Sequence, residues 1–154
     1  MVDSRKTFIN IALILSKHSK CVGAQVGAVI VKDDRILSTG YNGTPKGYSN
    51  CCDVWDHQIT PEHYEWSKKY EIHAEQNAII WAARKGIEIE GSDIYTTMRP
   101  CSQCTKLIIG SGIKNIYYNT DYSKESYLNS ELESFINDND VNIIQINISI
   151  EYHV

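Results

Sequence analysis

The sequence predicts an α/β fold, a three-layer sandwich in which a mixed five-stranded sheet carries helices on both faces. Two observations predict it. Two β-branched runs, residues 26–32 and 35–41, flank Asp33-Asp34 and read as an antiparallel hairpin. From residue 73 onward helical and strand patterns alternate, as they do when parallel strands are joined by crossover helices.

The elements follow in order. Asp3 or Ser4 caps a first helix reaching about Lys17, with Phe8, Ile11, Ala12 and Leu15 at helical spacing. The hairpin comes next, and then residues 42–60, rich in Gly, Pro, Asn and Ser, form a long loop of a length that usually serves function. Thr60-Pro61 opens a short helix with Pro at its first position. A second helix runs from about His73 to Lys85 and stops at Gly86. Residues 92–97 read as a strand, 100–111 as a helix opened by Pro100, 113–118 as a strand, 123–137 as a helix and 141–150 as a last strand.

With 154 residues the chain is expected to be one domain, 1–154, able to bury a core without staples. Its net charge of −4 leaves no basic field for gathering nucleic acid, so a small molecule is the expected ligand. The apolar start is interrupted by Asn10 and makes a poor signal peptide, and no run approaches a membrane span. A cytoplasmic protein is expected. Five cysteines are an odd number for a closed disulfide framework and, with histidines nearby, point to metal.

The chemistry concentrates in two short motifs, His73-Ala74-Glu75 and Pro100-Cys101-Ser102-Gln103-Cys104, each at a helix start. Cys101 and Cys104, three apart, can turn both sulfurs to one ion, and exposed helix-start amides favour the thiolate form. With His73 they make three ligands of a tetrahedral zinc site, leaving the fourth position for water, the arrangement of a catalytic rather than a structural ion. Glu75 lies two residues beyond His73. On a regular helix the two would diverge, and only a helix start lets both converge, with Glu75 as the base and acid that moves protons. A purely structural zinc knot usually pairs two Cys-x-x-Cys arms and has no need of Glu75.

His-x-Glu followed by Pro-Cys-x-x-Cys is the signature of zinc nucleobase deaminases. Gly40-Tyr41-Asn42-Gly43-Thr44-Pro45, Ser19-Lys20-Cys21, Gln25-Val26-Gly27-Ala28, residues 71–79 and Gly112-Ile113-Lys114 further resemble the deoxycytidylate deaminase family, over about residues 19–122. The resemblance implies a cytidine-deaminase-like fold and hydrolysis of dCMP to dUMP and ammonia, supplying dUMP for thymidylate synthesis. It implies a substrate site including Asn42, Ala74 and Tyr122. It also implies activation by dCTP and inhibition by dTTP, bound with magnesium near Gly43, Lys46 and Asn50 between subunits of a hexamer, with Arg84 near subunit contacts. Deamination of dCTP, cytidine or another base, or a non-catalytic zinc module, are the alternatives.

Where the family commonly carries Asp-Pro, this chain has Cys21-Val22. A subgroup resembling the T-even phage enzymes has Cys there and holds a second, structural zinc. The matching positions are Cys21, Cys51, His63 and Glu71, with Cys52 as the alternative to Cys51.

Overall fold

The computed structural model describes residues 3–121 and 130–148. Its elements are α1 (Ser4–Ser16), β1 (Gly27–Lys32), β2 (Arg35–Tyr41), α2 (Cys51–Val54), α3 (Pro61–Tyr70), α4 (Ala74–Lys85), β3 (Asp93–Met98), α5 (Ser102–Gly110), β4 (Asn115–Thr120), α6 (Ser130–Asp138) and β5 (Asn142–Gln145). The strands form one sheet in the order β2-β1-β3-β4-β5. The first two pairings, β1 with β2 and β1 with β3, are antiparallel, and those of β4 with β3 and β5 are parallel. This is the mixed five-stranded sheet that the sequence predicts.

The hairpin turns on Asp33 and Asp34, both at positive φ (51° and 57°), as a two-residue turn matching strand twist requires. Along β1 the side chains alternate between two cores. Ala28 and Ile30 join Ala74, Ala78, Ile94, Ile108, Ile116 and Ile136 beneath α4, α5 and α6. Val29 and Val31 join Phe8, Ile9, Ala12, Tyr95 and Tyr117 beneath α1. The result is three layers with helices on both faces.

Two glycines let those helices lie close to the sheet. A Cβ on Gly27 would stand 2.0 Å from the Ala12 carbonyl oxygen of α1. One on Gly40 would stand 2.3 Å from the Ala74 carbonyl oxygen, in the first turn of α4. The start of α4 is thereby seated directly on β2.

Several boundaries differ from the sequence reading. The long loop contains a short helix, α2, beginning at Cys51. His73 and Cys101 are N-caps in extended backbone, one residue outside α4 and α5. The last strand is shorter than residues 141–150: β5 ends at Gln145, paired with Tyr118, although β4 runs on to Thr120, because a side chain takes over there, Gln145 Nε2 donating to the Asn119 carbonyl at 3.1 Å. Ile146 and Ile148 still pack on the α1 face, and the Ile148 amide donates to Asn119 Oδ1 at 2.8 Å. Of the helix expected at 123–137, residues 130–137 are in α6, while 123–129 lie outside the described residues, as do 149–150. No helix among the described residues is long and apolar enough to cross a membrane.

Candidate metal centre and a second donor set

The crossover topology brings the two motifs together. α5 begins where β3 ends and α4 begins beside the end of β2, and β2 and β3 run the same way, so both helix starts open at the same end of the strands. His73 Nδ1 stands 3.3 Å from Cys104 Sγ and 3.6 Å from Cys101 Sγ. The three donor atoms lie within 4.8 Å of one another, and burial grades from exposed His73 through half-buried Cys101 to buried Cys104. Being an N-cap is what turns His73 inward. Its extended backbone (ψ 157°) breaks the helical rotation that would otherwise separate it from Glu75, and its amide donates to Gln76 Oε1 at 2.9 Å.

Without an ion, the two thiols share one proton. The hydrogen bond with Cys104, aided by His73, pulls the Cys101 thiol down to about 4. Cys104 is pushed up, because Cys101 takes its proton as a hydrogen bond and because it is buried. The contact with Cys101 raises the His73 imidazole. A shared proton between two sulfurs, with a soft donor pair and one imidazole, is a set that a thiophilic divalent ion such as zinc fits by displacing that proton.

Glu75 is buried, 4 % exposed, and stands outside the set of three. Burial raises its carboxyl above the ordinary range, offset in part by a backbone hydrogen bond and by His73. A carboxyl that holds its proton more readily than usual, beside but not among the donors, suits proton transfer.

A second set assembles from the chain after α1, from α2, and from α3 with its C-cap. Cys21, Cys51, His63 and Glu71 each offer a donor atom, all within 4.8 Å of one another. Cys51 Sγ is 3.1 Å from His63 Nε2, and the Cys21 thiol donates to Glu71 Oε2 at 3.3 Å. α2 buries Cys51 and brings it into the set, whereas Cys52 is exposed and outside it. The Thr60 hydroxyl accepts from the His63 amide at 3.2 Å and starts the helix that delivers the imidazole. Glu71 Oε1 is buried with no partner among the described residues, an orphan that a cation would satisfy. Here burial raises both thiols, Cys21 to about 12.

The two sets meet at Ile72. Glu71 belongs to one and His73 to the other, and Ile72 between them forms a two-way bridge with Gly43, amide to carbonyl at 2.9 and 3.1 Å.

The structure brings some of the remaining sequence-predicted residues near this end of the strands and leaves others away from it. Asn42 is buried, its Oδ1 accepting from the Val26 amide and its Nδ2 donating to the Ala24 carbonyl, both at 2.8 Å. One lone pair and one N–H of that amide are left for a ligand. Ala74 is fully buried at the first turn of α4. Asn50 caps α2, its amide and side chain donating to Asp53 Oδ2, and Lys46 is exposed. Arg84 lies over the half-exposed Trp81 ring, 5.8 Å from its centroid, at the far end of α4. Tyr122 lies outside the described residues. Sequence reading missed Arg99, a buried guanidinium directly before Pro100, whose only signal was a charged residue ending an apolar strand.

Comparison with known proteins agrees with this geometry. Residues 2–120 match the family described as cytidine and deoxycytidylate deaminase zinc-binding region. The chain belongs to the cytidine and deoxycytidylate deaminase family, a class of hydrolases. Within it, the chain is 44% identical over 151 residues to the deoxycytidylate deaminase of Enterobacteria phage T4, spanning 77% of this chain and 78% of that protein. The dCMP deaminase of cyanophage S-TIM5, solved in complex with dCMP and dUMP, superposes with a TM-score of 0.74 at 31% identity, covering 92% of this chain and 96% of that one. A Rib2 deaminase of Aspergillus oryzae, 21% identical with a TM-score of 0.62 over 95% of this chain and 86% of its own, shares the fold.

Proposed function

We propose that this protein is a zinc-dependent dCMP deaminase, hydrolysing the C4 amine of the cytosine ring to give dUMP and ammonia. The observation that carries the reading is a set of three donors, His73, Cys101 and Cys104, with a buried carboxyl, Glu75, beside the donors and not among them. When bound, the ion supplies the Lewis acidity that makes water a competent nucleophile near neutral pH.

The chain's own groups do the rest. Glu75 takes a proton from the attacking water, delivers it to N3 of the ring, and then assists the C4 amine to leave as ammonia. Its burial serves both halves, since a carboxyl raised toward neutrality gives and takes protons with little free-energy difference. Ala74, fully buried in the first turn of α4 beside Glu75, contacts the substrate, and Asn42 offers its remaining amide valencies to the sugar.

Cys21, Cys51, His63 and Glu71 hold a second, structural zinc that ties the chain after α1 and the loop before α3 to the base of the site. The orphaned Glu71 Oε1 supports it. We further propose that dCTP activates and dTTP inhibits, with magnesium, at a site including Gly43, Lys46 and Asn50, that Arg84 meets a neighbouring subunit in a homohexamer, and that the enzyme supplies dUMP in the cytoplasm. No nucleic-acid or membrane partner is part of the reading.

The test is a deamination panel of cytidine, dCMP and dCTP, repeated with dCTP or dTTP plus magnesium as effectors where these are not the substrate. Ammonia release from dCMP well above the other two is the expected result. Preference for cytidine or dCTP would overturn the substrate assignment.

A further inference from the structure

Arg99 has no part in the donor sets or in the proton transfers, yet its surroundings are the most constrained of any cation among the described residues. It is 7 % exposed, and a buried guanidinium is costly unless its charge is paired and hydrogen-bonded; here both Nη atoms are met, while the buried Nε has no partner among the described residues. Its amide donates to the Thr120 carbonyl at 2.9 Å, at the end of β4. Its Nη1 donates to the Tyr118 hydroxyl at 3.3 Å, with the guanidinium carbon 5.5 Å from that ring's centroid. Its Nη2 donates to Glu133 Oε1 of α6 at 2.5 Å, across a sequence separation of 34 residues. Three attachments to two other elements thus fix a single residue.

That residue is the last before Pro100-Cys101. On the far side of the turn, the Thr105 amide donates to the Cys101 carbonyl at 2.8 Å and the Thr105 hydroxyl to the Pro100 carbonyl at 3.4 Å. α5 therefore secures one end of the turn, and Arg99 secures the other. Because Arg99 is buried, it cannot shift without stranding its charge, so the turn inherits the position of Glu133.

We infer that Arg99 is a positioning residue: its ion pair with Glu133 and its bond to Tyr118 hold the connection from β3 to α5 so that Cys101 and Cys104 face His73 at metal-binding separation. The inference rests on the reading that these three residues hold the ion. It assigns Glu133, on a helix remote in sequence, a role in metal retention.

The test uses the full chain loaded with cobalt(II), whose absorption reports thiolate geometry. The signal lost in Cys104→Ser marks the contribution of this set. Glu133→Gln keeps size and removes charge, Arg99→Met removes the guanidinium, and Arg99→Lys restores the charge alone. In Glu133→Gln, chelator should strip the ion about tenfold faster, in line with other residues that orient metal ligands. The same variant should show a shifted cobalt band and a kcat for dCMP lowered about tenfold with KM within twofold. Arg99→Met should do more and Arg99→Lys less. Unchanged release and an unchanged band in Glu133→Gln and Arg99→Met overturn the inference. A raised KM with unchanged release also overturns it, assigning Arg99 to the substrate. Should Arg99→Met fail to fold, Glu133→Gln decides, since Glu133 is 37 % exposed at its side chain. A wild-type signal that Cys104→Ser does not diminish defeats the metal assignment itself, and the inference with it.

Discussion

Two clusters of cysteine, histidine and glutamate lie on either side of Ile72, and they differ in where the carboxylate stands. In the set around Cys21 and Cys51, Glu71 is one of four donors, so the set closes on itself. In the set around Cys101 and Cys104, Glu75 stays outside three donors, so one position is left for chemistry. Thiol acidity follows the same division: Cys101 is ionised by its neighbours, whereas burial keeps Cys21 and Cys51 protonated until something displaces the proton. On the proposed reading, residue types alone do not separate a working site from a brace. The position of one carboxyl does.

The largest effect that would break this contrast is the loss of Glu75. Glu75→Ala should lower kcat for dCMP about 10²–10⁴-fold while metal analysis finds the ion still bound. An ion lost from that variant would make Glu75 a donor like Glu71, and the contrast would vanish. Cys21→Ser should reduce zinc from two ions per chain to one and lower stability by about 3 kcal/mol in urea denaturation, while deamination persists. One ion in the parent protein would remove the brace from the comparison.

Alkylation of metal-stripped protein sharpens it further. With its thiol near 4, Cys101 is ionised throughout pH 6–9 and its rate should be flat, while Cys21, near 12, should gain about tenfold per pH unit. At pH 7 Cys101 should lead by about 30-fold once the weaker nucleophilicity of an acidic thiolate is counted. Peptide mass spectrometry reads both rates, and equal rates would show that the two environments do not differ. The smallest effect concerns Ser67, whose hydroxyl donates to Glu71 Oε2 at 2.5 Å. Ser67→Ala should cost about 1 kcal/mol in the same denaturation with kcat unchanged. A fall in kcat would mean that the brace and the working site are one unit.

The donor set of His73, Cys101 and Cys104 was legible in the sequence because its residues come in two short runs, each with a fixed relation to a helix start. The second set was not legible from spacing. Its four members come from the chain after α1, from α2, from α3 and from the stretch before α4, and only a family resemblance joined them. Arg99 escaped notice because its meaning depends on Glu133, a contact that no periodicity encodes. The strand that came out short, β5, failed for a related reason: alternation of Ile146 and Ile148 registers a buried face, but a strand also needs a backbone ladder, and at Asn119 side-chain bonds with Gln145 and Ile148 replace it. The hairpin and the crossover helices were legible because turn chemistry and helix stops are local.

Gly40 carries a consequence for how such a chain tolerates change over generations. No atom of it enters the donor set, yet the space a methyl group would need is filled by the backbone of the turn that bears Glu75. In a saturation library scored for growth on deaminase activity, position 40 should therefore be depleted of every substitution as thoroughly as the metal ligands. A scan that ranks residues by distance to the reacting carbon would pass it over. The heritable requirement at that position is for an absence, a gap in the strand into which the catalytic helix fits.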